Sequence, residues 1–335
     1  MEYHLLGRSG LRVSELALGA MTFGAEGFGV EKDESRQVYD AFREAGGNFI
    51  DTANGYAGGR SEEFLGEFIA DDRDRVVLAT KFTIPMRGRD ANAGTNNRKN
   101  MMESVEASLR RLRADFIDLY WVHAWDALTP TEELMRGLDD LVRAGKVRYV
   151  GISDSPAWVV SRANSLAELR GWTPFVGLQI PFSLLERTVE RELLPMAKAL
   201  GITVTPWGAV GSGVLTGKYN RDAQAKGRAA AAGRVTERGI EIAGAVVEIA
   251  EQIGRTPAQV ALNWVRQADA EIVPLVGARV VEQLRDNLGC LEFTLDDAQM
   301  RRLNEVSRIE LGFPRDFLEQ RFRPRRRPEK PQASA

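Results

Sequence analysis

The stretch RKNMMESVEASLRRLRADFIDLYWVH, residues 98–123, holds one complete passage from helix to strand. In its first part Met102, Val105, Leu109 and Leu112 recur at helical spacing and make one apolar stripe, which predicts a helix over 98–113. Its second part, 117–123, is short and almost continuously apolar, the pattern of a strand covered on both faces. The same alternation runs outward in both directions. Strands are expected at 15–18, 48–51, 76–81, 117–123, 147–153, 176–180, 203–207 and 271–276. Helices are expected between them at 34–45, 61–69, 98–113, 131–143, 157–169, 190–200, 240–253 and 280–287. Gly145 and Gly201 fall just past helix ends, as C-terminal caps do, and Thr131 reads as an N-cap with Glu133 in the first turn. Eight strand–helix units favour an α/β fold of the closed (β/α)8 TIM-barrel type over an open doubly wound sheet. One domain then spans residues 1–320. Ahead of the first strand, His4-Leu5-Leu6 and Leu11-Arg12-Val13 flank Gly7-Arg8-Ser9-Gly10, which reads as a β-hairpin closing the bottom of the barrel.

Composition narrows the function classes. The 335 residues are 44% apolar and 27% charged, and 45 basic against 47 acidic side chains leave a net charge of −2. No global field draws such a chain to nucleic acid or to a membrane; a small-molecule partner is expected, with a homo-oligomer possible. The single cysteine, Cys290, excludes an internal disulfide framework and a CxxC metal site, reads as structural, and fits a reducing compartment. No charged start followed by an apolar run opens the chain, and no stretch of about 18 apolar residues occurs, so a cytoplasmic location is expected. Loops at 83–97 and 208–238 belong on the C-terminal face, where they would cover a ligand. The basic, proline-rich tail 321–335, with Arg321, Arg323, Arg325, Arg326, Arg327 and Lys330, reads as a disordered, solvated end.

In a barrel, polar residues at the C-terminal ends of strands mark where chemistry occurs. The second strand runs into Asp51-Thr52-Ala53-Asn54-Gly55-Tyr56, the third ends in Ala79-Thr80-Lys81, and the fourth ends at His123, one of two histidines. Singly, each has an ordinary reading: Asp51 caps a helix, Tyr56 anchors a loop, Lys81 ends a strand in solvent, and His123 is a satisfied core imidazole. Jointly they put a carboxylate, a phenol, an ammonium and an imidazole on one rim. A phenol with a pKa of about 10 is a poor proton donor at neutral pH. A neighbouring ammonium lowers that value, and an aspartate keeps the ammonium charged and oriented. An imidazole can orient a carbonyl by hydrogen bonding. The set suits protonation of a carbonyl oxygen while its carbon is attacked. No residue is an evident nucleophile and two histidines are too few for a His-rich metal site, so no metal is expected. A hydride from a reduced nicotinamide fills the gap. Phe23, Phe28, Phe82, Trp121 and Trp125, at or just beyond strand ends, would wall an aromatic cavity suited to aryl aldehydes, quinones, cyclic ketones or a sugar face.

These residues carry a family resemblance. The chain resembles the aldo-keto reductases from residue 3 to about 318, through Leu18-Gly19-Ala20-Met21-Thr22-Phe23-Gly24, Asp51 to Tyr56, Thr80-Lys81, Asp118 to His123, Gly151-Ile152-Ser153, Leu178-Gln179, Gly213 to Tyr219 and Gly277-Ala278-Arg279 to Gln283 and Asn287. The resemblance implies a (β/α)8 barrel that binds NADPH/NADP+ across its top and reduces an aldehyde or ketone to an alcohol. It assigns Tyr56 as general acid, Lys81 and Asp51 as its tuning pair, and His123 as the carbonyl-orienting group. Ser153, Asp154 and Gln179 would hold the carboxamide and Trp207 would stack on the nicotinamide. Met21, Thr22 and Asp51 also fall at the cofactor. Gly208, Val210, Gly213, Leu215 and Lys218 lie in the segment that wraps the pyrophosphate. Gly277, Ala278, Arg279, Gln283 and Asn287 grip the adenosine end, Arg279 pairing with a 2′-phosphate.

The chain departs from the family at three places. Asp154 stands where Asn is usual, and its charge is expected to favour NADP+ over NADPH. Gly208-Ala209-Val210 replaces a Ser-Pro-Leu run, removing a hydroxyl and a proline. Pro181-Phe182 follows Gln179-Ile180 where an acid and a tyrosine are common. Other nucleotide motifs fail: Gly211 to Lys218 has Ser212 where the P-loop's first glycine belongs and Tyr219 where Ser or Thr is needed, and its glycines miss the dinucleotide fingerprint by one residue. Two further readings of the same barrel remain: a reductase of nucleotide-linked keto-deoxysugars in a biosynthetic pathway, and a catalytically weak NADPH-binding regulatory barrel. His4 reads as surface or barrel floor.

Overall fold

The structure is a computed structural model and describes residues 1–86, 88 and 90–322. Two short strands, β1 Tyr3–Leu5 and β2 Arg12–Ser14, pair antiparallel with His4 opposite Val13. Eight parallel strands follow: β3 Ala17–Gly19, β4 Phe49–Asp51, β5 Val77–Phe82, β6 Ile117–Val122, β7 Val147–Ser153, β8 Phe175–Gln179, β9 Thr203–Val204 and β10 Leu275–Val276. Their order is β10-β3-β4-β5-β6-β7-β8-β9. The ring closes just ahead of β10, where Val204 N–H donates to the Glu271 carbonyl at 2.8 Å and Val273 N–H donates to the Val204 carbonyl at 2.9 Å. The strand expected over 271–276 is therefore divided. Residues 271–273 serve β9, Pro274 has no N–H to give, and only Leu275 and Val276 pair with β3.

Helices cover the outside of the ring: α1 Lys32–Glu44, α2 Arg60–Phe68, α3 Arg98–Leu112, α4 Thr131–Arg143, α5 Ala157–Arg170 and α6 Leu193–Leu200. Short helices α7 Lys218–Arg221 and α8 Arg228–Ala231 interrupt the long loop after β9. They are followed by α9 Glu237–Ile253, α10 Pro257–Arg266, α11 Val281–Leu288, α12 Asp297–Val306 and α13 Arg315–Phe322. Thr131 is the first helical residue of α4 and not its cap; Pro130 holds the cap position, with no side-chain hydrogen bond. Arg321 and Phe322 end α13, so the tail expected to begin at 321 starts inside a helix. Arg323, Arg325, Arg326, Arg327 and Lys330 lie outside the described residues. No helix among the described residues is long and apolar enough to cross a membrane.

Alternation along the strands separates two apolar layers. Ala17, Phe49, Val77, Ala79, Leu119 and Trp121 fill the barrel, while Leu18, Ile50, Leu78, Tyr120 and Val122 pack beneath the helices. Trp121 fits only because β7 and β8 carry Gly151 and Gly177 beside it; a Cβ on Gly151 would lie 2.4 Å from the indole. Phe23, Phe82 and Trp121 are all fully buried in these layers. They fill the core and do not wall a cavity. The hairpin sits over the N-terminal ends of the strands, where Gly7 N–H donates to Thr203 Oγ1 at 2.6 Å. The bottom is thereby shut.

Candidate active site

Lys81, the next-to-last residue of β5, has no exposed surface, and its ammonium is shared among three acceptors. It donates to Asp51 Oδ2 at the end of β4, to the Thr52 carbonyl at 2.8 Å, and to Tyr56 Oη at 3.3 Å. Burial alone would push Lys81 down; the charge of Asp51 and the nearby Tyr56 more than restore it and hold it above the usual ammonium value. Burial also pushes the Tyr56 phenol up, and Lys81 pulls it back without fully offsetting this. The sequence leads one to expect a phenol lowered by Lys81. The pull is present, but desolvation outweighs it, and Tyr56 stands as a protonated donor.

His123, one residue past β6, meets Tyr56 edge to face with ring centroids 5.8 Å apart. Burial, and then the charge of Lys81, push its imidazole down to about 3, so it is neutral at ordinary pH. Its Nδ1 is buried with no hydrogen-bond partner. An unpaired buried N–H costs more than a bare lone pair, which places the proton on Nε2 and makes that nitrogen the donor.

The N-terminus of α2 holds this group in place from behind. Ser61 Oγ donates to the Ala20 carbonyl at 2.8 Å and shares a 2.8 Å hydrogen bond with the Thr52 hydroxyl. Fully buried Glu62 accepts from Thr80 Oγ1 at 2.6 Å and from Arg111 Nε at 2.7 Å. Residues flanking Lys81 and Asp51 are thus tied to the helix that follows the Tyr56–Gly59 turn.

The residues expected at a cofactor lie around the same rim, with differences in detail. Thr22 Oγ1 donates to the Ala278 carbonyl at 3.1 Å, joining the β3 and β10 loops beside Met21. Ser153 is buried at the end of β7. Asp154 follows in the left-handed region at φ 40°, a conformation that suits the usual Asn better, and its Oδ1 accepts from Trp207 Nε1 at 3.3 Å. Gln179 Nε2 donates to Asp51 Oδ1 at 3.1 Å, so its amide rests against the charged pair. Gly208 and Gly213 adopt positive φ in the loop after Trp207, and Lys218 Nζ donates to the Lys226 carbonyl at 3.4 Å. The side chains of Leu215 and Ala278 are buried, which leaves only their backbone to meet a ligand. Val210 packs against the core. Gln283 Oε1 accepts from the Arg279 N–H at 3.0 Å, and Asn287 Nδ2 donates to the Gly277 carbonyl at 3.5 Å; both steady the loop that presents Arg279.

Two residues at this end escape sequence reasoning. Arg228 and Arg234, in the loop after β9, come near Arg279. Burial first, then the charges of Arg234 and Arg279, push the Arg228 guanidinium down. Arg228 also lies over the Phe28 ring at 5.4 Å, which assigns Phe28 to this end of the rim. Among the described residues none of the three arginines pairs with a carboxylate. The signal was the alanine- and arginine-rich run itself, which reads equally well as a solvated loop.

The sequence model of the Aldo/keto reductase family matches residues 15–308. A norsolorinic acid reductase of Emericella nidulans is 40% identical over 321 residues, covering 92% of this chain and 82% of that protein. A putative aryl-alcohol dehydrogenase of Saccharomyces cerevisiae is 37% identical, covering 92% of this chain and 87% of its own length. An aryl-alcohol dehydrogenase [NADP(+)] of Phanerodontia chrysosporium is 38% identical, with 91% and 85% covered. With a closed eight-stranded barrel, a rim of donor groups at its C-terminal end and these relatives, the chain belongs to the aldo/keto reductase family of NAD(P)-dependent oxidoreductases.

Proposed function

We propose that this protein is an NADPH-dependent reductase of aryl aldehydes or ketones, with Tyr56 as proton donor. The observation that carries this reading is the buried Lys81 ammonium bridging Asp51 and the Tyr56 hydroxyl. Tyr56 Oη gives its proton to the carbonyl oxygen. Lys81 stabilises the phenolate left behind, and Asp51 keeps Lys81 charged. Neutral His123 donates from Nε2 and turns the carbonyl toward Tyr56. When bound, the reduced nicotinamide supplies the hydride that completes the alcohol.

The residues present fit that cofactor. Ser153, Asp154 and Gln179 would hold its carboxamide and Trp207 its ring, with the loop from Gly208 to Lys218 available to the pyrophosphate. Three guanidiniums without carboxylate partners among the described residues suit a doubly charged 2′-phosphate, which supports NADPH over NADH. Asp154 adds negative charge near the ring and favours the oxidised form. The relatives are named as reductases of norsolorinic acid and dehydrogenases of aryl alcohols, which supports an aryl substrate.

Fluorescence titration with NADPH and NADH, followed by addition of 2-naphthaldehyde, tests the reading. NADPH should bind at least about tenfold tighter than NADH, a gap of about 1.4 kcal/mol, and its oxidation should depend on the aldehyde. Arg228→Ala and Arg279→Ala should each narrow the gap while leaving NADH binding within about twofold. Equal affinities in the wild type would remove the 2′-phosphate assignment, and tight binding without oxidation would remove the proposed substrate class.

A further inference from the structure

With Phe23, Phe82 and Trp121 sealed in the core and Phe28 beneath Arg228, the apolar surface at the C-terminal end comes from other side chains. Trp125 leaves β6 two residues after His123, and Trp158 is the second residue of α5, five residues after Ser153. Their rings meet edge to face, with centroids 5.4 Å apart and planes at 86°. Together they make a right-angled aromatic corner on the segments that follow His123 and Ser153 at the C-terminal ends of β6 and β7. Trp158 is 58% exposed, and its indole N–H has no partner among the described residues. The rest of α5 buries Val159, Val160, Ala163 and Ala167, so this ring is the large apolar group that the helix leaves outside at its start.

The loop that carries Trp125 is braced by hydrogen bonds. Asp126, beside Trp125, accepts from the N–H groups of Asn96 at 2.7 Å, Leu128 at 3.0 Å and Thr129 at 2.9 Å. Buried Asn96 donates to the Ala124 carbonyl at 3.1 Å and accepts from Thr83 Oγ1 at 2.8 Å. Thr83 itself sits at φ 97°, a strained conformation for a β-branched residue that the surrounding bonds must maintain. Strain and hydrogen bonds spent on fixing a loop suit a surface prepared in advance for a ligand.

We propose that Trp125 and Trp158 form the ring-binding subsite, taking the face and edge of a planar, uncharged aryl group of two or more fused rings whose carbonyl reaches Tyr56 and His123. This rests on the carbonyl-reductase reading and names the part of the substrate that the reading leaves open. A small aliphatic carbonyl compound covers neither indole and gains nothing from the corner, whereas a fused ring system gains both an aromatic contact and buried apolar area.

The test compares kcat/KM for 2-naphthaldehyde and butanal, and measures 2-naphthoate binding to the NADP+-saturated protein by calorimetry. Because Trp158 lies largely in solvent, Trp158→Ala leaves no core cavity, and thermal melting checks that the fold is retained. Trp158→Ala should lower the naphthaldehyde/butanal ratio about tenfold and weaken 2-naphthoate by a similar factor. Trp158→Phe should recover most of both. Leu169→Ala, the same kind of truncation at the far end of α5, should move neither. An unchanged ratio and unchanged naphthoate affinity in Trp158→Ala overturn the proposal, as does a wild-type protein that binds no naphthoate. Failure of the reductase reading looks different: the wild type would oxidise NADPH with neither aldehyde, and the naphthoate titrations would still decide the corner.

Discussion

Lys81 uses its ammonium hydrogens on Asp51, Thr52 and Tyr56, so a residue that would be an ordinary strand end in solvent becomes the centre of a buried charge arrangement. Its neighbour His123 is the more testable of the two by titration. Folding lowers its imidazole from 6.5 to about 3, so between those values the unfolded chain binds the proton that the native state refuses. The stability tied to neutral His123 is therefore complete above pH 6.5 and drains away as pH falls toward about 3. By NMR, the His123 ring should not titrate between about pH 5 and 8, and the acid limb of kcat/KM should carry no break near 6.5. A titration midpoint near 6.5 would mean that the ring is exposed or charged, and unsuited to the role proposed for it. The identities of Asp51, Tyr56, Lys81 and His123 as candidates were legible in the sequence because strand ends in a barrel share one rim. The net state of Tyr56 was not, since desolvation depends on what packs around the phenol.

At the scale of elements, α2 links sequence to site. Glu62, fully buried, joins Thr80 of β5 to Arg111 of α3, and so ties the strand that carries Lys81 to two helices. Glu62→Ala should cost about 3 kcal/mol, the scale for leaving one member of a buried ion pair without its partner. Urea unfolding followed by circular dichroism measures this, and a loss below about 0.5 kcal/mol, the range of ordinary surface changes, would show that the network does not anchor the helix. Elements were legible where one face is polar: α4 falls over Thr131–Arg143 as its stripe predicts. Helix α10 was missed for the opposite reason, since Ala258 through Val265 are all buried and no polar face imposes a period. Its start was nonetheless signalled, because Thr256 and Gln259 form a capping box around Pro257 at the first turn. Trp158 was passed over because its meaning lies in its exposure and its right angle to Trp125, neither of which has a sequence pattern.

Across the whole molecule, the ring of strands brings together groups that are far apart in the chain. Asp51, Lys81 and His123 leave β4, β5 and β6; Gln179 leaves β8 and touches Asp51 across the barrel. Arg228 and Arg234 reach Arg279 from the loop after β9. Closure depends on small devices, such as the glycines around Trp121 and the handover at Pro274, that keep these ends level. A nearly balanced net charge of −2 adds no long-range pull, so in the proposed function recognition of an anionic cofactor falls to the local guanidiniums. In the proposed reaction this geometry makes Tyr56 the proton donor to a carbonyl. That role is tested most directly by single-turnover oxidation of bound NADPH with 2-naphthaldehyde, comparing wild type with Tyr56→Phe. The rate in Tyr56→Phe should be lower by about 10²-fold or more, the scale of lost general-acid catalysis, with NADPH affinity within about twofold of wild type. A Tyr56→Phe protein that consumes NADPH as fast as the wild type would contradict it.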